Sequence, residues 1–511
     1  MIARAAGAVF EWHLHRRRRT WERLAQASIA TQETTLLSLV ARARHTSFGQ
    51  VHGFESIRSL ADYQSRVPVQ DYTQFHGQLG RMLAGASDIT WPGRARYWVK
   101  TSGTTAGDKV LPVTTEALAS HRRGGWDALL MAAERMGAAR LLGGPMLFLG
   151  GCTRLTPTSP NALVGDLSGV VVQHLPVYLR GRYSPGPAVS SIPDWDARLE
   201  AIASLVVHQD LRLLSGMPSW MLILLERVGG LHGRVADRWP NLGVFVHGGV
   251  AFAPYRGVFE QWLGRPLEYV EVYPASEAFV ALQTERTGGL TLMLDYDVFY
   301  EFVPVEDLDR SRPRRHTVAD VELDRPYAVA LTSPAGLWSY LLGDTVRFTA
   351  RDPLRLQITG RTRHFVNAFG ENVIVEEVER AMVEACRRAQ AEVVEFTVAP
   401  CYASATETRG RHDWLVEFAE LPRGPVDVFA RMLDETLQQL NTDYRIKRAG
   451  DIGMLSPRLL ELPVGTFHRW MRARGKLGGQ NKVPRVTNDR AVANGLLEAA
   501  GRPLGELLAL S

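Results

Sequence analysis

Tyr97-Trp-Val-Lys-Thr-Ser-Gly-Thr-Thr-Ala-Gly-Asp-Lys-Val-Leu-Pro112 sets an aromatic, β-prone run directly before a loop of hydroxyls and glycines that carries one lysine. A strand feeding such a loop is how a chain wraps a polyphosphate. Gly103 and Gly107 let the backbone come close, the hydroxyls of Thr101, Ser102, Thr104 and Thr105 can donate to phosphate oxygens, and Lys109 can neutralise charge. The loop is not a Walker loop, because only three residues separate its glycines, Asp108 precedes the lysine and Val110 follows it.

Outward from this stretch, apolar runs and helical patterns alternate as far as about Phe348. Pro145–Leu149, Gly169–Gln173 and Leu242–His247 are expected as buried strands, with helices over Trp195–Val207 and Pro218–Val228. This alternation predicts an α/β fold. The first ninety residues are expected to be helical, with apolar positions such as Leu36, Leu37, Leu39 and Val40, then a link at Val67-Pro68. Between Phe279 and Val305, and again from Tyr327 to Phe348, shorter strands predict a smaller β subdomain, the first set turning at Thr287-Gly-Gly289. After Leu356–Arg361 a compact α+β unit is expected. Its helices are Val375–Ala389 and Pro425–Leu440, with strands near Glu392–Ala399 and Trp414–Phe418. Pro425 is assigned to the first helical position, and Val426, Phe429, Leu433, Leu437 and Leu440 trace one apolar face. The reading is thus a large multi-subdomain unit, 1–357, and a small mobile C-terminal unit, 358–511.

Composition sets limits without naming chemistry. At 511 residues and 45% hydrophobic content the chain can bury large cores. Three cysteines, Cys152, Cys386 and Cys401, are too few for a disulfide framework and lack zinc-ligand or redox-pair spacing, which suits a cytoplasmic location. No apolar run approaches the roughly eighteen residues a membrane span requires, and no signal-peptide core opens the chain. The net charge of +5 rests almost wholly on arginine, since the lysines are Lys100, Lys109, Lys447, Lys476 and Lys482 alone. A lysine retained among so many arginines suits a compact charge at phosphate. The basic run Arg16–Arg19 lies in a helical pattern and reads as a solvated face, so no nucleic-acid partner is expected.

Three further clusters give the first loop meaning. Phe245-Val-His-Gly-Gly-Val250 ends a strand in the paired glycines Gly248 and Gly249, where open α/β sheets admit ligands. Val270-Glu-Val-Tyr-Pro-Ala-Ser-Glu277 ends another in an aromatic, a serine and a carboxylate, and Glu277 can hold a magnesium ion that bridges phosphates. In Gly336-Leu-Trp-Ser-Tyr-Leu-Leu-Gly-Asp-Thr-Val346, Asp344 follows a glycine at an expected strand break, where a carboxylate can accept both hydroxyls of ribose; the alternative is a plain Gly-Asp turn. Ile358–Val373 joins the units through Gly360-Arg361 and can act as a hinge.

In this order the motifs resemble the adenylate-forming superfamily, and within it the auxin-responsive acyl-acid amido synthetases with their bacterial relatives. Thr101–Pro112 is similar to that family's nucleotide loop, Tyr273–Glu277 to its Tyr-x-Ser-Ser-Glu motif and Tyr340–Asp344 to its Tyr-x-x-Gly-Asp motif. The resemblance extends to Asn441–Arg445, Gly465-Thr-Phe467 and Gln480-Asn-Lys-Val-Pro-Arg485. It implies that Ser102 and Thr104 contact phosphate, Gly248 and Gly249 border the adenine, Glu277 serves magnesium, Asp344 holds the ribose and Lys482 the α-phosphate. Thr101, Gly103, Thr105, Tyr273, Ser276 and Arg361 complete the implied nucleotide site. The first loop is one residue shorter than the family form, Pro274 and Ala275 alter the second motif, and Asn481 stands where the family has tyrosine. The implied activity is an ATP-dependent ligase that activates a carboxylic acid as its adenylate and passes the acyl group to an amine such as an amino acid. The alternatives are an acyl-coenzyme A ligase and a nucleotide-binding scaffold without catalysis. Trp126, Tyr178 and Met217, which lie between the nucleotide motifs, are candidates for the acyl pocket.

Overall fold

The computed structural model describes residues 2–101, 109–159, 161–232, 235–250, 252, 255–308, 310–362, 365–371, 373–402, 408–474 and 483–501, with the backbone alone at 2–6, 178, 219, 230–232, 236, 361, 365 and 376. Ser102, Gly103, Thr104, Thr105 and Lys482 lie outside the described residues.

The expected strand before the first loop is present. Tyr97–Thr101 pairs antiparallel with Lys109–Val113, Thr101 opposite Lys109, and parallel with Ala162–Gly165 in a four-stranded sheet. The larger sheet, eleven-stranded among the described residues, is half parallel and half antiparallel. Its parallel half runs Glu268–Pro274, Val244–His247, Leu213–Gly216, Met146–Leu149 and Tyr183–Ser184. Its antiparallel half runs from Phe279–Leu282 through Leu290–Leu292, Leu354–Arg361, Leu337–Arg351 and Pro326–Ser333 to Phe299–Pro304. The expected α/β alternation and the β subdomain are therefore fused edge to edge in one sheet. A parallel sheet must be covered on both faces, and the helices Trp195–Val206 and Pro218–His232 serve that half with buried leucines and isoleucines.

Gly169–Gln173 departs from its expected state. It belongs to the helix Leu167–Gln173, because a short apolar run has no period that separates strand from helix, and the backbone of Thr153 lies where a Gly169 Cβ would sit only 3.0 Å away. A helix turns that bare face onto Thr153.

The C-terminal unit carries the strands Glu392–Cys401, Arg411–Glu420 and Arg458–Leu462 in that order, covered by the helices Val375–Ala389 and Val426–Leu440. Phe429, Leu433 and Leu437 are buried at helical spacing, and Pro425 sits one position earlier than expected, as the N-cap. This unit shares its apolar core with the parallel sheet: Val366, Phe369 and Trp414 belong to the same buried cluster as Leu199, Leu222 and Phe245. Tyr255 Oη donates to the Ala368 carbonyl across that junction at 2.6 Å.

The run Arg16–Arg19 is only half solvated, on the helix Ile2–Gln26. Arg16 and Arg19 are exposed, but Arg17 donates to Asp127 at 2.8 Å and Asp295 at 2.9 Å, and Arg18 to Glu134 and Glu285. These bonds pin the first helix to the body. Among the described residues no helix is long and apolar enough to cross a membrane.

Candidate active site

The strand ends of the parallel sheet, the hairpin of the first loop and the C-terminal unit open on one cleft of about 2330 Å3. Its lining includes Thr101, Lys109, Gly249, Tyr273, Ser276, Glu277 and Asp344. Motifs spread over more than two hundred residues thus meet at one place.

Asp344 owes its position to an irregular strand. Leu337–Arg351 is continuous, so the expected break is absent; two extra residues of that strand stand between the pairs Ala330–Leu341 and Ala328–Thr345. Gly343, at φ 94°, takes the left-handed conformation this bulge needs. The bulge swings Asp344 against the end of Glu268–Pro274, where Tyr273 Oη donates to Asp344 Oδ2 at 2.6 Å. Both side chains are buried, and a bond from phenol to carboxylate is of the strong, charge-assisted kind.

Glu277 is 8% exposed, beside Tyr340, whose hydroxyl is buried and has no hydrogen-bond partner among the described residues. Burial, reinforced by Glu277, holds the Tyr340 phenol well above its ordinary pKa, so it stays protonated. Among the described residues no group of three His, Cys, Asp or Glu gathers to hold a metal. A cation at Glu277 would therefore draw its other ligands from phosphate and water, and that donor set suits magnesium, which commonly binds through one or two carboxylates.

Gly248 and Gly249 serve differently. A Cβ on Gly248 would meet the Val272 carbonyl at 2.3 Å, so that glycine permits close strand packing, whereas Gly249, at φ 87°, faces the cleft. Arg361 pairs in register with Asp344, and Gly360 lines the cleft. Trp126 and Met217 line it as well; the Tyr178 side chain is outside the described residues.

Other residues escaped the sequence reading. His121, on the helix Thr115–Met136, bonds the Ser276 backbone and so braces the Tyr273–Glu277 segment; burial, against that bond, lowers its pKa to about 4. Glu371 accepts from the amides of Ala368 and Phe369 at 3.0 and 2.6 Å and pairs with His412 at 2.8 Å, fixing the cleft wall contributed by the C-terminal unit. Arg198 and Lys447 also line the cleft. The scarcity of lysine was the available signal for Lys447, but nothing in the sequence shows its burial.

Three descriptions of one family match the chain in order: the GH3 family N-terminal domain at 17–219, the GH3 family central domain at 291–361 and the GH3 family C-terminal domain at 376–491. The chain belongs to the GH3 family. It is similar to the indole-3-acetic acid-amido synthetase GH3.3 of Arabidopsis thaliana, 26% identical over 277 residues, which are 50% of this chain and 45% of that one. With GH3.8 of Oryza sativa subsp. indica the identity is 28% over 285 residues, again 50% and 45% of the two chains. These matches span just under half the length of those relatives. The probable indole-3-acetic acid-amido synthetase GH3.2 of Oryza sativa subsp. japonica is 23% identical over 563 residues, 91% of this chain and 89% of that one. In fold, the GH3 chain is similar to AtGH3.15 acyl acid amido synthetase, with a TM-score of 0.61 at 16% identity, covering 94% of this chain and 95% of that one. A 2-hydroxyisobutyryl-CoA ligase gives a TM-score of 0.55 at 14% identity, covering 95% and 93%. The chain thereby shares the fold of these two ligases.

Proposed function

We propose that this GH3 protein is an ATP-dependent acyl-acid amido synthetase. The observation that carries the reading is the convergence of the buried Tyr273–Asp344 pair and Glu277 on one cleft, in a chain whose family domains stand in order. In the first step a carboxylate oxygen attacks the α-phosphorus of ATP, and the bond to pyrophosphate breaks. In the second an amine nitrogen attacks the acyl carbon, the bond to AMP breaks and the nitrogen sheds a proton.

A carboxylate is a poor electrophile, so the site's task is to align acid with α-phosphate and to meet charge as it develops. Asp344, oriented by Tyr273, would hold the ribose hydroxyls, and Thr101, with the following loop residues Ser102 to Thr105, the phosphates. Gly249 would border the adenine, with Gly248 letting its strand pack close behind it and Ser276 and Arg361 alongside the nucleotide. Glu277 would hold magnesium, which when bound neutralises phosphate charge. Lys482 would reach the α-phosphate when the C-terminal unit, taken as 358–511, closes on the large one. A cytoplasmic location fits this dependence on ATP.

Pyrophosphate exchange across a panel of aromatic and aliphatic acids tests the reading. Exchange with at least one acid is expected, and its failure with every acid in a folded, ATP-binding sample would leave a nucleotide-binding scaffold. Supplying coenzyme A and mixed amino acids together then decides the second step. An amide is expected, and a thioester alone would make the protein an acyl-coenzyme A ligase.

A further inference from the structure

Two cations to which the nucleotide reading gives no role stand on a pair of tryptophans inside the cleft. Trp195 and Trp220 lie with ring centroids 4.7 Å apart. The Arg198 guanidinium is 5.1 Å from the centre of the Trp195 ring, and Lys447 Nζ is 3.9 Å from that of Trp220. Trp195 and Arg198 share the helix Trp195–Val206, Trp220 is on Pro218–His232, and Lys447 comes from Thr442–Arg448 of the C-terminal unit.

Both cations are buried, Arg198 at 4% exposure and Lys447 at 7%. One arm of Arg198 donates to the Ile192 carbonyl at 2.7 Å and the side chain also bonds Cys152, with Asp166 and Asp194 acting from farther off, but its Nε has no hydrogen-bond partner among the described residues. No carboxylate among the described residues comes within ion-pair distance of Lys447; Asp443, Glu371 and Asp166 act on it only from farther off. Glu371 is already engaged by two amides and His412. Asp166 feels Arg198 and Lys447 together, and its carboxylate is gripped by the Cys152 amide and lies where a Cβ on residue 151 would sit 2.0 Å away. Buried cations without close counter-charges are costly, and a ligand anion relieves that cost.

The proposed reaction involves two carboxylates. The acid's own is consumed at the α-phosphate, beside the nucleotide residues. That of an acceptor amino acid persists into the product and needs cations elsewhere. We propose that Arg198 and Lys447, mounted on the Trp195–Trp220 pair, form the subsite that binds the carboxylate of the acceptor amino acid. This assignment rests on the amido-synthetase reading. Because Lys447 comes from the C-terminal unit, the subsite is complete only while the two units are together, and the tryptophans offer an apolar wall to the acceptor's side chain. Burial lowers the Lys447 pKa to about 8, which leaves the ammonium predominant at neutral pH.

Calorimetric titration of the full chain with amino acids, and with the matching amines that lack the carboxylate, reads the subsite directly. Wild type is expected to bind at least one amino acid and to bind its decarboxylated amine at least about tenfold more weakly. Lys447→Met should abolish most of that discrimination, and Lys447→Arg should retain part of it. In turnover, Lys447→Met should raise the KM for amino acid about tenfold or more while leaving pyrophosphate exchange within about twofold. Equal affinity of wild type for amino acid and amine, or discrimination unchanged in both Lys447→Met and Arg198→Met, would overturn the proposal. Exchange that collapses while discrimination persists would assign the cations to the acid instead. Absence of exchange in wild type would remove the activity, whereas the titration would still decide the subsite.

Discussion

A carboxylate that is to grip a diol must be held still, and the Tyr273–Asp344 bond does this. Asp344→Asn keeps the shape but loses charge-assisted acceptance, so ATP binding should weaken by about 1.5–3 kcal/mol. Tyr273→Phe removes only the orienting bond and should weaken binding less, with a measurable loss of stability. Calorimetric dissociation constants for ATP check both; an unchanged constant for Asp344→Asn in a folded protein would reduce that residue to a bulge constraint. Asp344 was legible because a Gly-Asp pair interrupting an apolar run is a local signal. Tyr273 was legible through the family motif, but its pairing with Asp344 was not, because 71 residues separate them and no periodicity links a phenol to a bulge. Arg198 and Lys447 were illegible for the same reason: their meaning comes from burial against tryptophans on other elements.

The first helix shows how an element-level reading can invert. Arg17 was read with its neighbours as a solvated basic face, yet it joins Ile2–Gln26 to Asp127 on Thr115–Met136 and to Asp295. Burial works against its charge, and the bonds to Asp295 and Asp127 more than offset this, so the guanidinium pKa is raised. For Asp127 burial prevails over Arg17 and also raises the carboxyl, which disfavours its charge; the geometry of two opposed, well-placed partners argues for an ion pair that carries the cost of burial. Arg17→Met, which strands Asp127, should cost about 3–5 kcal/mol in denaturant unfolding, and adding Asp127→Asn should restore part of it. A loss below about 1 kcal/mol would mean that Phe10 against Trp126 docks the helix unaided. Helices with a sustained stripe, such as Val426–Leu440, were legible to within a residue. Leu167–Gln173 was not, since its state is decided by Thr153 across the loop.

At the scale of the whole molecule, alternation revealed the α/β class but could not reveal that the parallel and antiparallel halves share one sheet, which depends on pairings such as Leu290 with Leu356. Two neutral histidines are buried in the fold, His121 at the cleft and His247 behind it, and this makes the fold acid-sensitive. His247, at the end of Val244–His247 and packed on Phe252, is lowered to about 3 by burial and then by Arg256; His121 is lowered to about 4 by burial. In the unfolded chain each takes a proton near pH 6.5, whereas in the folded protein neither does until the lower value. The unfolded state therefore binds more protons below pH 6.5, and stability falls as pH drops from there toward 4. Each site contributes a slope of up to about 1.4 kcal/mol per pH unit, so the pair removes on the order of 5 kcal/mol across that window, comparable with a modest total stability. Denaturant unfolding measured at intervals from pH 7 to 4.5 should show this decline, and His121→Gln together with His247→Gln should flatten it even if the variant is less stable at pH 7. A wild-type stability that stays level over that range, or a slope identical in the double variant, would mean that burial does not hold the two rings neutral in the fold.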